Sequence, residues 1–452
     1  MWTLAQAVEK AGGTLRGADV PFSSVGTDSR VDCAGQLFVA LRGERFDGHD
    51  HVAAAQAAGA VAAMVDRLLP IDVPQWVVKD TRLGLGQLAA AWRDRFPGKI
   101  VAITGSNGKT TAKEMVAAIL AEAGTVRATK GNLNNDLGMP LTLLAAREEA
   151  YLVLEMGANH HGEIGYMTEI ARPDVALITN AGRAHLEGFG SLEGVARAKG
   201  EIARGLGRDG VFVVDADSPF LALWRDLADG RPMRTFGLGP AADVRAEPQS
   251  IGVDWDQQGF CTRFSARYEG RERALLLRLA GRHNVGNALA AVAVAAALGI
   301  PEAAIADGLA ALRPVKGRLC PRRCAGLGII DDTYNANPDS IAAGIEVLVG
   351  LGGRRWLVMG DLGELGSDAL ALHAEIGARA RAAGVDRMAT VGTTSEEASR
   401  AFGAGGAHFA DQAALISYLR SELDPDDRVL VKGSRLARME NVVEALCAGV
   451  GL

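Results

Sequence analysis

Apolar runs alternate with helix-like stretches along most of this chain. Four runs between residues 99 and 217 are largely apolar, and a glycine-rich or polar stretch and then a helical pattern follow each of them: "KIVAIT", "YLVLEMG", "DVALITN" and "GVFVVDAD". Runs of this kind are typical of strands that are buried on both faces of a parallel sheet. The pattern therefore predicts an α/β fold, in which ligands bind outside the carboxyl ends of the strands.

Two changes in this pattern predict three domains. Residues 1–82 indicate a small α/β domain with short strands and an alanine-rich helix. Residues 83–313 contain the four apolar runs, and between about 243 and 279 they change to segments that predict added antiparallel strands. Residues 314–452 again alternate strand and loop, which predicts a Rossmann-like α/β domain with its own sheet.

Composition and charge narrow the possible partners. The chain has 452 residues and a formal net charge of −6, and its basic residues are scattered. These features argue against binding to nucleic acid or to an anionic membrane. The first residues lack the charged-then-apolar order of a signal peptide, and the longest apolar run, residues 289–300, is too short to span a bilayer. We therefore expect a cytoplasmic protein without membrane insertion.

The five cysteines are irregularly spaced, which fits free thiols in a reducing compartment. Cys320 and Cys324 lie four residues apart, but the sequence offers neither a second cysteine pair nor nearby histidines to complete a metal site. We therefore expect buried or unreactive thiols.

The stretch "ITGSNGKTTAKEM" has the character of a phosphate-binding loop. Its glycines are Gly105 and Gly108, whereas the usual loop would need a glycine where Ile103 stands. A glycine-rich turn between a strand and a helix points its N–H groups at an anion, and the helix dipole adds to the attraction. Lys109 supplies a charge for the outer phosphates, and the hydroxyl of Thr110 is suited to Mg²⁺. The stretch therefore predicts nucleotide binding.

Two further candidates follow neighbouring apolar runs. Glu155 ends "YLVLE", so its carboxylate is expected at the same sheet edge as the loop, where it would suit a magnesium ion. His185 follows the next run, and its position allows either a functional or a structural role.

Lys199, Asn284 and Asn287 are the remaining candidates. The chain keeps only nine lysines beside thirty-nine arginines, and a lysine cannot be replaced by arginine where its amine must be neutral or modified. Asn284 and Asn287 are spaced to share one face at a helix start, where their amides could read the edge of an adenine. Helix capping is the competing role for Asn284.

Taken together, these motifs resemble the Mur ligases, ATP-dependent amide-forming enzymes of peptidoglycan synthesis. That family carries the shortened loop that appears here as "GSNGKTT". The likeness covers nearly the whole chain, through "TDSR", "LFVALRGERFDGH", "KGNLNNDLGMPLTLL", "LEMGANHHGEI", "NAGRAHLEGFGS", "AKGEI", "GRHNVGNALAA", "DDTYNANPDS", "MGDLGELG" and "LVKGSR". It is closest to the branch that joins D-alanyl-D-alanine to UDP-N-acetylmuramoyl-tripeptide.

The resemblance implies a role for each candidate residue and a ligand for each domain. The ATP phosphates would be bound by Gly105, Ser106, Asn107, Gly108, Lys109, Thr110 and Thr111. Magnesium would be held by Thr110, Glu155, His185 and Lys199, the last of which is typically carbamylated in this family, and the catalytic set would be Lys109, Glu155, His185 and Lys199. The rest of the nucleotide would meet Asn284, Asn287, Arg318 and Asp332. The first domain would bind the UDP-sugar, with Ser29, Arg30 and Asn135 near it, and the third would bind the dipeptide near Tyr334, Asn335 and Asn337.

Other functions remain open at this point. A related ligase that adds the third amino acid, or a folylpolyglutamate synthase, would share the ATP domain. A nucleotide-dependent switch or motor is the alternative of another class, although a switch GTPase should show an Asn-Lys-x-Asp motif that this sequence lacks. For a ligase we expect a monomer that is open when free and closes its third domain about "LRPVKGRL" to exclude water.

Overall fold

The N-terminal part of the chain contains two of the sheets that the described residues form. The structure, a computed structural model, describes residues 2–43, 46–183, 186–257, 259–324 and 326–448. A five-stranded sheet has the order β2-β7-β6-β5-β4 and is parallel except for β2, and a separate antiparallel pair joins β1 to β3. The strands are β1 Trp2–Thr3, β2 Thr14–Arg16, β3 Pro21–Phe22, β4 Ser24–Gly26, β5 Gln36–Val39, β6 Ala62–Val65 and β7 Gln75–Val77, and the helices are α1 Leu4–Ala11 and α2 Val52–Ala57.

A ten-stranded sheet forms the centre of the molecule. Its strands are β8 Lys99–Thr104, β9 Val126–Ala128, β10 Tyr151–Glu155, β11 Val175–Ile178, β12 Val211–Asp215, β13 Met233–Gly237, β14 Val244–Ala246, β15 Gly252–Asp256, β16 Gly259–Tyr268 and β17 Arg271–Leu277. The order β9-β10-β8-β11-β12-β13-β14 is parallel throughout. The predicted antiparallel strands are confirmed, and they continue the same sheet because β16 pairs with β14, β15 and β17.

Helices cover both faces of this central sheet. They are α3 Thr81–Arg93, α4 Lys109–Ala121, α5 Gly138–Ala145, α6 Glu163–Ala171, α7 Leu186–Phe189, α8 Leu192–Gly200, α9 Leu221–Ala228, α10 Arg282–Ala297 and α11 Glu302–Ala311. One apolar core lies between the sheet and α4, α10 and α11, and a second contains residues of α3, α5, α6 and α8. Burial on both faces explains why the four predicted strands are apolar almost throughout.

The C-terminal part forms a second α/β unit around a six-stranded sheet. Its strands are β18 Cys320–Cys324, β19 Leu327–Asp332, β20 Arg355–Gly360, β21 Arg387–Val391, β22 Gly406–Phe409 and β23 Arg428–Lys432, in the order β18-β19-β23-β20-β21-β22. Only β18 is antiparallel to its neighbour. The helices are α12 Pro338–Val349, α13 Ala369–Ala383, α14 Glu396–Phe402, α15 Gln412–Glu422 and α16 Glu440–Ala448. The predicted three-domain α/β architecture is confirmed.

The exact domain boundaries stay a prediction. The helix α3, capped by the Asp80 side chain, already begins at Thr81, before the predicted boundary at residues 82 and 83. The second predicted boundary, at residues 313 and 314, falls between α11 and β18. Within the ranges that the structure describes, no helix is both long and apolar enough to cross a membrane.

The expectation that the cysteines are free thiols is wrong for two of them. Cys324, at the end of β18, forms a disulfide with Cys447 in α16. Their spacing in the sequence gave no sign of this pair, because 123 residues separate them and the sheet brings them together. Cys33, Cys261 and Cys320 are free, as predicted.

Candidate active site

A cleft of about 860 Å³ lies between the carboxyl edge of the central sheet and the C-terminal domain. Its lining includes most of the predicted site residues: Ser106, Asn107, Gly108, Lys109, Thr110, Thr111, Asn135, Glu155, Asn284, Asn287, Arg318, Asp332, Tyr334, Asn335 and Asn337. The loops that follow β8, β10 and β11 supply one wall, and the segments around β19 and after β23 supply the opposite one. The cleft therefore stands at the sheet edge that the strand pattern predicts.

The predicted phosphate loop connects β8 to α4 in this cleft. Gly108 caps α4 with a φ of 77°, and a Cβ atom there would lie 2.5 Å from Oδ1 of Asn287. A glycine is needed for both reasons, and it leaves the first N–H groups of the helix without a side-chain cap. Nζ of Lys109 donates to the carbonyl oxygens of Gly105 at 2.7 Å and Ser106 at 3.2 Å. This arrangement can receive phosphates at the positive end of the helix.

Burial lowers the pKa of Lys109 from its ordinary value. The nearby guanidinium of Arg318 lowers it further, whereas the carboxylate of Glu155 raises it. A phosphate group would reverse part of this effect, because an opposite charge favours the protonated amine. The lysine is therefore placed where it is most stable with an anion beside it.

Glu155 connects the phosphate loop to the end of β10. Its side chain is buried, with Oε2 accepting from the Thr110 hydroxyl at 2.9 Å and Oε1 accepting from the Asn134 amide at 2.9 Å. The backbone N–H of Glu155 donates to the hydroxyl of Thr129 at 3.0 Å. Thr110 and Glu155, two of the predicted metal ligands, therefore lie in direct contact.

Lys199 lies beside the cleft rather than in its lining, at the end of α8. Its side chain is among the most buried in the protein, and burial lowers the pKa of the amine to about 7. The charge of Lys109 lowers this pKa further, while Glu163 and Glu201 raise it. The amine lies 5.1 Å from the centre of the Phe189 ring. An amine with this pKa is partly neutral near pH 7, which is the form that reacts with carbon dioxide.

His185 lies outside the described residues, so its predicted role stays a prediction.

The two asparagines of α10 are hydrogen-bonded to each other, and Asn287 lies close to Gly108 of the phosphate loop. Asn284 donates through Nδ2 to the carbonyl oxygen of Ala280 at 2.7 Å, and its Oδ1 accepts from Nδ2 of Asn287 at 3.2 Å. The residue that caps α10 is Gly281, so Asn284 does not take the competing capping role. Both side chains are buried at the cleft, where an adenine could be read.

Asp332 and Arg318, two residues predicted to meet the nucleotide, extend the C-terminal domain to the lining of the cleft. Asp332 accepts from the backbone N–H of Leu319 at 3.1 Å and from Nζ of Lys432 at 2.6 Å. Lys432 also donates to the carbonyl oxygen of Asn335 at 3.0 Å. The Arg318 guanidinium lies 4.2 Å from the centre of the Tyr334 ring.

The remaining predicted substrate residues are placed in two different regions. Asn135 accepts from the N–H of Gly138 at 2.9 Å at the start of α5, and Asn337 caps α12. Both line the cleft, as do Tyr334 and Asn335. Ser29 and Arg30 do not belong to its lining, and the Arg30 guanidinium pairs with the carboxylate of Asp28 at 2.8 Å.

The cleft also contains ionisable side chains to which the sequence analysis gave no role. His283 lies next to Asn284, and burial lowers its pKa to about 4, with Asp332 raising it and Lys432 lowering it. Arg183 binds two carboxylates of the C-terminal domain. His283, Arg183 and Lys432 fall inside the quoted motifs "GRHNVGN", "NAGRAH" and "LVKGSR", which is the signal that could have found them.

Comparisons with known proteins agree with this architecture over most of the chain. Residues 103–295 match the Mur ligase middle domain, residues 317–435 match the Mur ligase, glutamate ligase domain, and residues 21–93 match the Mur ligase family, catalytic domain. Over 448 residues the chain is 46% identical to the UDP-N-acetylmuramoyl-tripeptide–D-alanyl-D-alanine ligase of Escherichia coli (strain K12), and the alignment covers 98% of each.

Two solved structures show the same similarity in three dimensions. Crystal structure I of MurF from Acinetobacter baumannii superposes with a TM-score of 0.92 at 38% identity, covering 99% of both chains. The MurF ligase of Thermotoga maritima in complex with ADP superposes with a TM-score of 0.84 at 30% identity, covering 94% of this chain and 97% of that one.

Proposed function

This chain belongs to the Mur ligase family, and we propose that it joins D-alanyl-D-alanine to UDP-N-acetylmuramoyl-tripeptide, with conversion of ATP to ADP and phosphate. The observation that carries this proposal is the cleft itself. It places a phosphate loop on one wall, opposite a polar segment of the C-terminal domain on the other. The relatives whose names state this activity align with nearly the full length of the chain.

In the first step, a carboxylate oxygen of the tripeptide attacks the γ-phosphorus of ATP. The bond between that phosphorus and the bridging oxygen breaks, and ADP leaves with the bond's electron pair. Phosphoryl transfer depends mainly on positioning and on neutralising charge. Lys109 and the free N–H groups at the start of α4 supply the neutralisation. The product is an acyl phosphate.

The residues at this site fit magnesium. Glu155 and Thr110 present oxygen donors in contact at 2.9 Å, and a carbamate on Lys199 would add further oxygens. Among the residues that the structure describes, no group of three His, Cys, Asp or Glu side chains could hold a metal, so we propose that phosphate oxygens and the Lys199 carbamate complete the set together with His185. Bound there, magnesium would supply charge stabilisation to the transferring phosphoryl group.

In the second step, the neutral amine of D-alanyl-D-alanine attacks the acyl carbon. The tetrahedral intermediate loses phosphate as the carbon–oxygen bond breaks, and the amine proton passes to solvent. We propose that Tyr334, Asn335 and Asn337 orient the dipeptide, because all three line the wall opposite the phosphate loop.

The UDP-sugar end of the substrate would lie toward the N-terminal domain. We propose that Ser29, Arg30 and Asn135 contact it, with Asn135 at the cleft and the other two in the loop after β4. The cytoplasmic location and the monomeric state stay predictions from the sequence.

Phosphate release from ATP tests the function directly. We expect release only when UDP-N-acetylmuramoyl-tripeptide and D-alanyl-D-alanine are both present, with the pentapeptide product seen by mass spectrometry. Parallel reactions should contain UDP-N-acetylmuramoyl-dipeptide with diaminopimelate, and a folate with glutamate. Product in either of these, or ATP turnover without any acceptor, would contradict the proposal in favour of a related ligase or of a switch or motor.

A further inference from the structure

Arg183 joins the central domain to two helices of the C-terminal domain. Its backbone N–H and its Nε donate to the two oxygens of Asp339, in α12, at 2.7 and 3.0 Å. Its two terminal nitrogens donate to the two oxygens of Glu375, in α13, at 3.1 Å each. One guanidinium therefore binds two carboxylates that are 36 positions apart in the sequence and belong to two different helices. We call Arg183, Asp339 and Glu375 the interdomain latch.

A second link connects the phosphate loop itself to α12. Nδ2 of Asn337 donates to Oδ1 of Asn107 at 2.8 Å. The carbonyl oxygen of Asn107 accepts from the Thr179 hydroxyl at 2.6 Å and from the Asn180 amide at 3.0 Å, so the loop is also tied to the end of β11. Arg183 follows three residues after Asn180, and the latch and this link therefore hold the same part of the central domain against the start of α12.

Another contact between the two domains is of a different kind. Trp255 and Phe260 of the central domain pack with apolar residues of the C-terminal domain core. The guanidiniums of Arg323 and Arg428 lie 5.5 and 5.7 Å from the centre of the Trp255 ring. This contact combines apolar packing with cation–π contacts to the Trp255 ring. The latch consists of ion pairs, and its three side chains are 32%, 34% and 48% exposed, where water and salt can compete.

We propose that Arg183 is a positioning residue that holds the start of α12, and with it the dipeptide side of the cleft, against the phosphate loop. An exposed ion pair shifts an equilibrium by about fivefold at most, so two pairs on one guanidinium can favour closure by about tenfold and still release. Such a contact suits an enzyme that must open in every cycle to exchange substrate and product. The effect on turnover rests on the proposed function, but the effect on closure does not.

Arg183→Ala tests the proposal against a matched control, Arg273→Ala. Arg273 also binds one carboxylate with two nitrogens, that of Glu302 at 2.6 and 2.5 Å, but within the central domain. We expect Arg183→Ala to lower kcat by about tenfold and leave the affinity for an ATP analogue within about twofold. The kcat of Arg183→Lys should lie between those of the wild type and Arg183→Ala, because lysine keeps the positive charge but loses the bidentate geometry. Arg273→Ala should retain wild-type kcat.

Small-angle scattering of the same variants measures the effect of the latch on domain closure independently of the reaction. We expect Arg183→Ala to be more open than the wild type at low salt and the wild type to open as salt is raised, with Arg273→Ala unchanged. Wild-type protein that forms no pentapeptide would overturn the proposed function, and this scattering comparison would still test the latch. Equal scattering and equal kcat for Arg183→Ala and Arg273→Ala would overturn the latch.

A double-mutant cycle assigns the effect to the contact. We expect Glu375→Gln to lower kcat by about threefold to fivefold and to have little further effect when added to Arg183→Ala. Effects that multiply in full would show that the two residues act separately, against the proposal. If Arg183→Ala does not fold, Glu375→Gln, which changes only an exposed carboxylate, decides the question alone by its kcat and its scattering.

Discussion

Lys199 is an amine buried where its positive charge is unfavourable. The side chain is 1% exposed and the pKa falls to about 7, so the folded protein pays in stability for keeping a lysine there. A carbamate would turn this amine into an oxygen donor with a negative charge. Carbamylation would therefore explain why residue 199 is a lysine in a chain that has far more arginines than lysines.

Replacing Lys199 should abolish most activity in a way that added carboxylate can repair. We expect Lys199→Ala and Lys199→Arg to lower kcat by about hundredfold or more, because neither can form the carbamate. Acetate or formate should restore part of the activity of Lys199→Ala, and the larger arginine side chain should block this rescue. Phosphate release measured across a carboxylate titration checks it, with the wild type as control. A Lys199→Arg variant of near-normal activity would contradict the carbamate.

His283 should make the free protein sensitive to mild acid. Its ordinary pKa of 6.5 applies in the unfolded chain, whereas burial lowers the pKa to about 4 in the folded one. Between these values the unfolded chain binds a proton that the folded chain excludes, so stability falls as the pH is lowered through this window. At about pH 5 the loss amounts to about 2 kcal/mol. Urea unfolding should show a smaller loss for His283→Gln than for the wild type, and equal losses would contradict the pKa.

The turn between β8 and α4 requires a glycine at position 108 to keep its shape beside Asn287. Gly108 has a φ of 77°, and Gly270, in the turn between β16 and β17, has a φ of 75°. A Cβ atom on Gly108 would meet Asn287, whereas one on Gly270 would have nothing within 4 Å. Comparing substitutions at the two glycines therefore separates the energetic cost of the backbone conformation from the effect of a Cβ atom on Asn287.

Replacing either glycine should lower the stability of the protein, but only the replacement of Gly108 should weaken ATP binding. We expect Gly108→Ala and Gly270→Ala each to lose about 1–2 kcal/mol of unfolding free energy, because both must hold alanine in the left-handed region. Gly108→Ala should also weaken ATP binding by about tenfold or more, since it displaces Asn287 and widens the loop. Calorimetry with an ATP analogue checks this, and equal affinities for the two variants would argue against the loop's role.

At the level of secondary-structure elements, the sequence predicted the longer strands that are buried on both faces. The strands β8, β10, β11 and β12 are apolar because helices cover both faces, and that is visible without coordinates. Both β9 and β14 read "VRA", and three residues are too few to show a period. Lys109 was found because it belongs to a glycine-rich loop between a predicted strand and a predicted helix, and Glu155 because it stands at the end of a predicted strand. Arg183 was not found although it lies in the motif "NAGRAH", because the motif does not show that its partners are carboxylates of a second domain.

The whole molecule is expected to close on its substrates. Arg183 and Asn337 already join the two domains across the cleft through part-buried polar contacts, which substrates would reinforce. We expect small-angle scattering to show a smaller radius of gyration when an ATP analogue and UDP-N-acetylmuramoyl-tripeptide are added together. A radius that does not change on their addition would contradict closure about residues 312–319.

The most direct test of the acyl phosphate uses isotopic labelling of the carboxylate oxygens of the tripeptide. In the proposed reaction, one carboxylate oxygen of the tripeptide becomes bonded to the γ-phosphorus of ATP in the first step and leaves as part of the phosphate in the second. With the tripeptide carboxylate enriched in heavy oxygen, mass spectrometry should find one heavy oxygen in the released phosphate for each amide bond formed. Phosphate that carries no label while pentapeptide accumulates would contradict the acyl phosphate, and with it the central role given to this cleft.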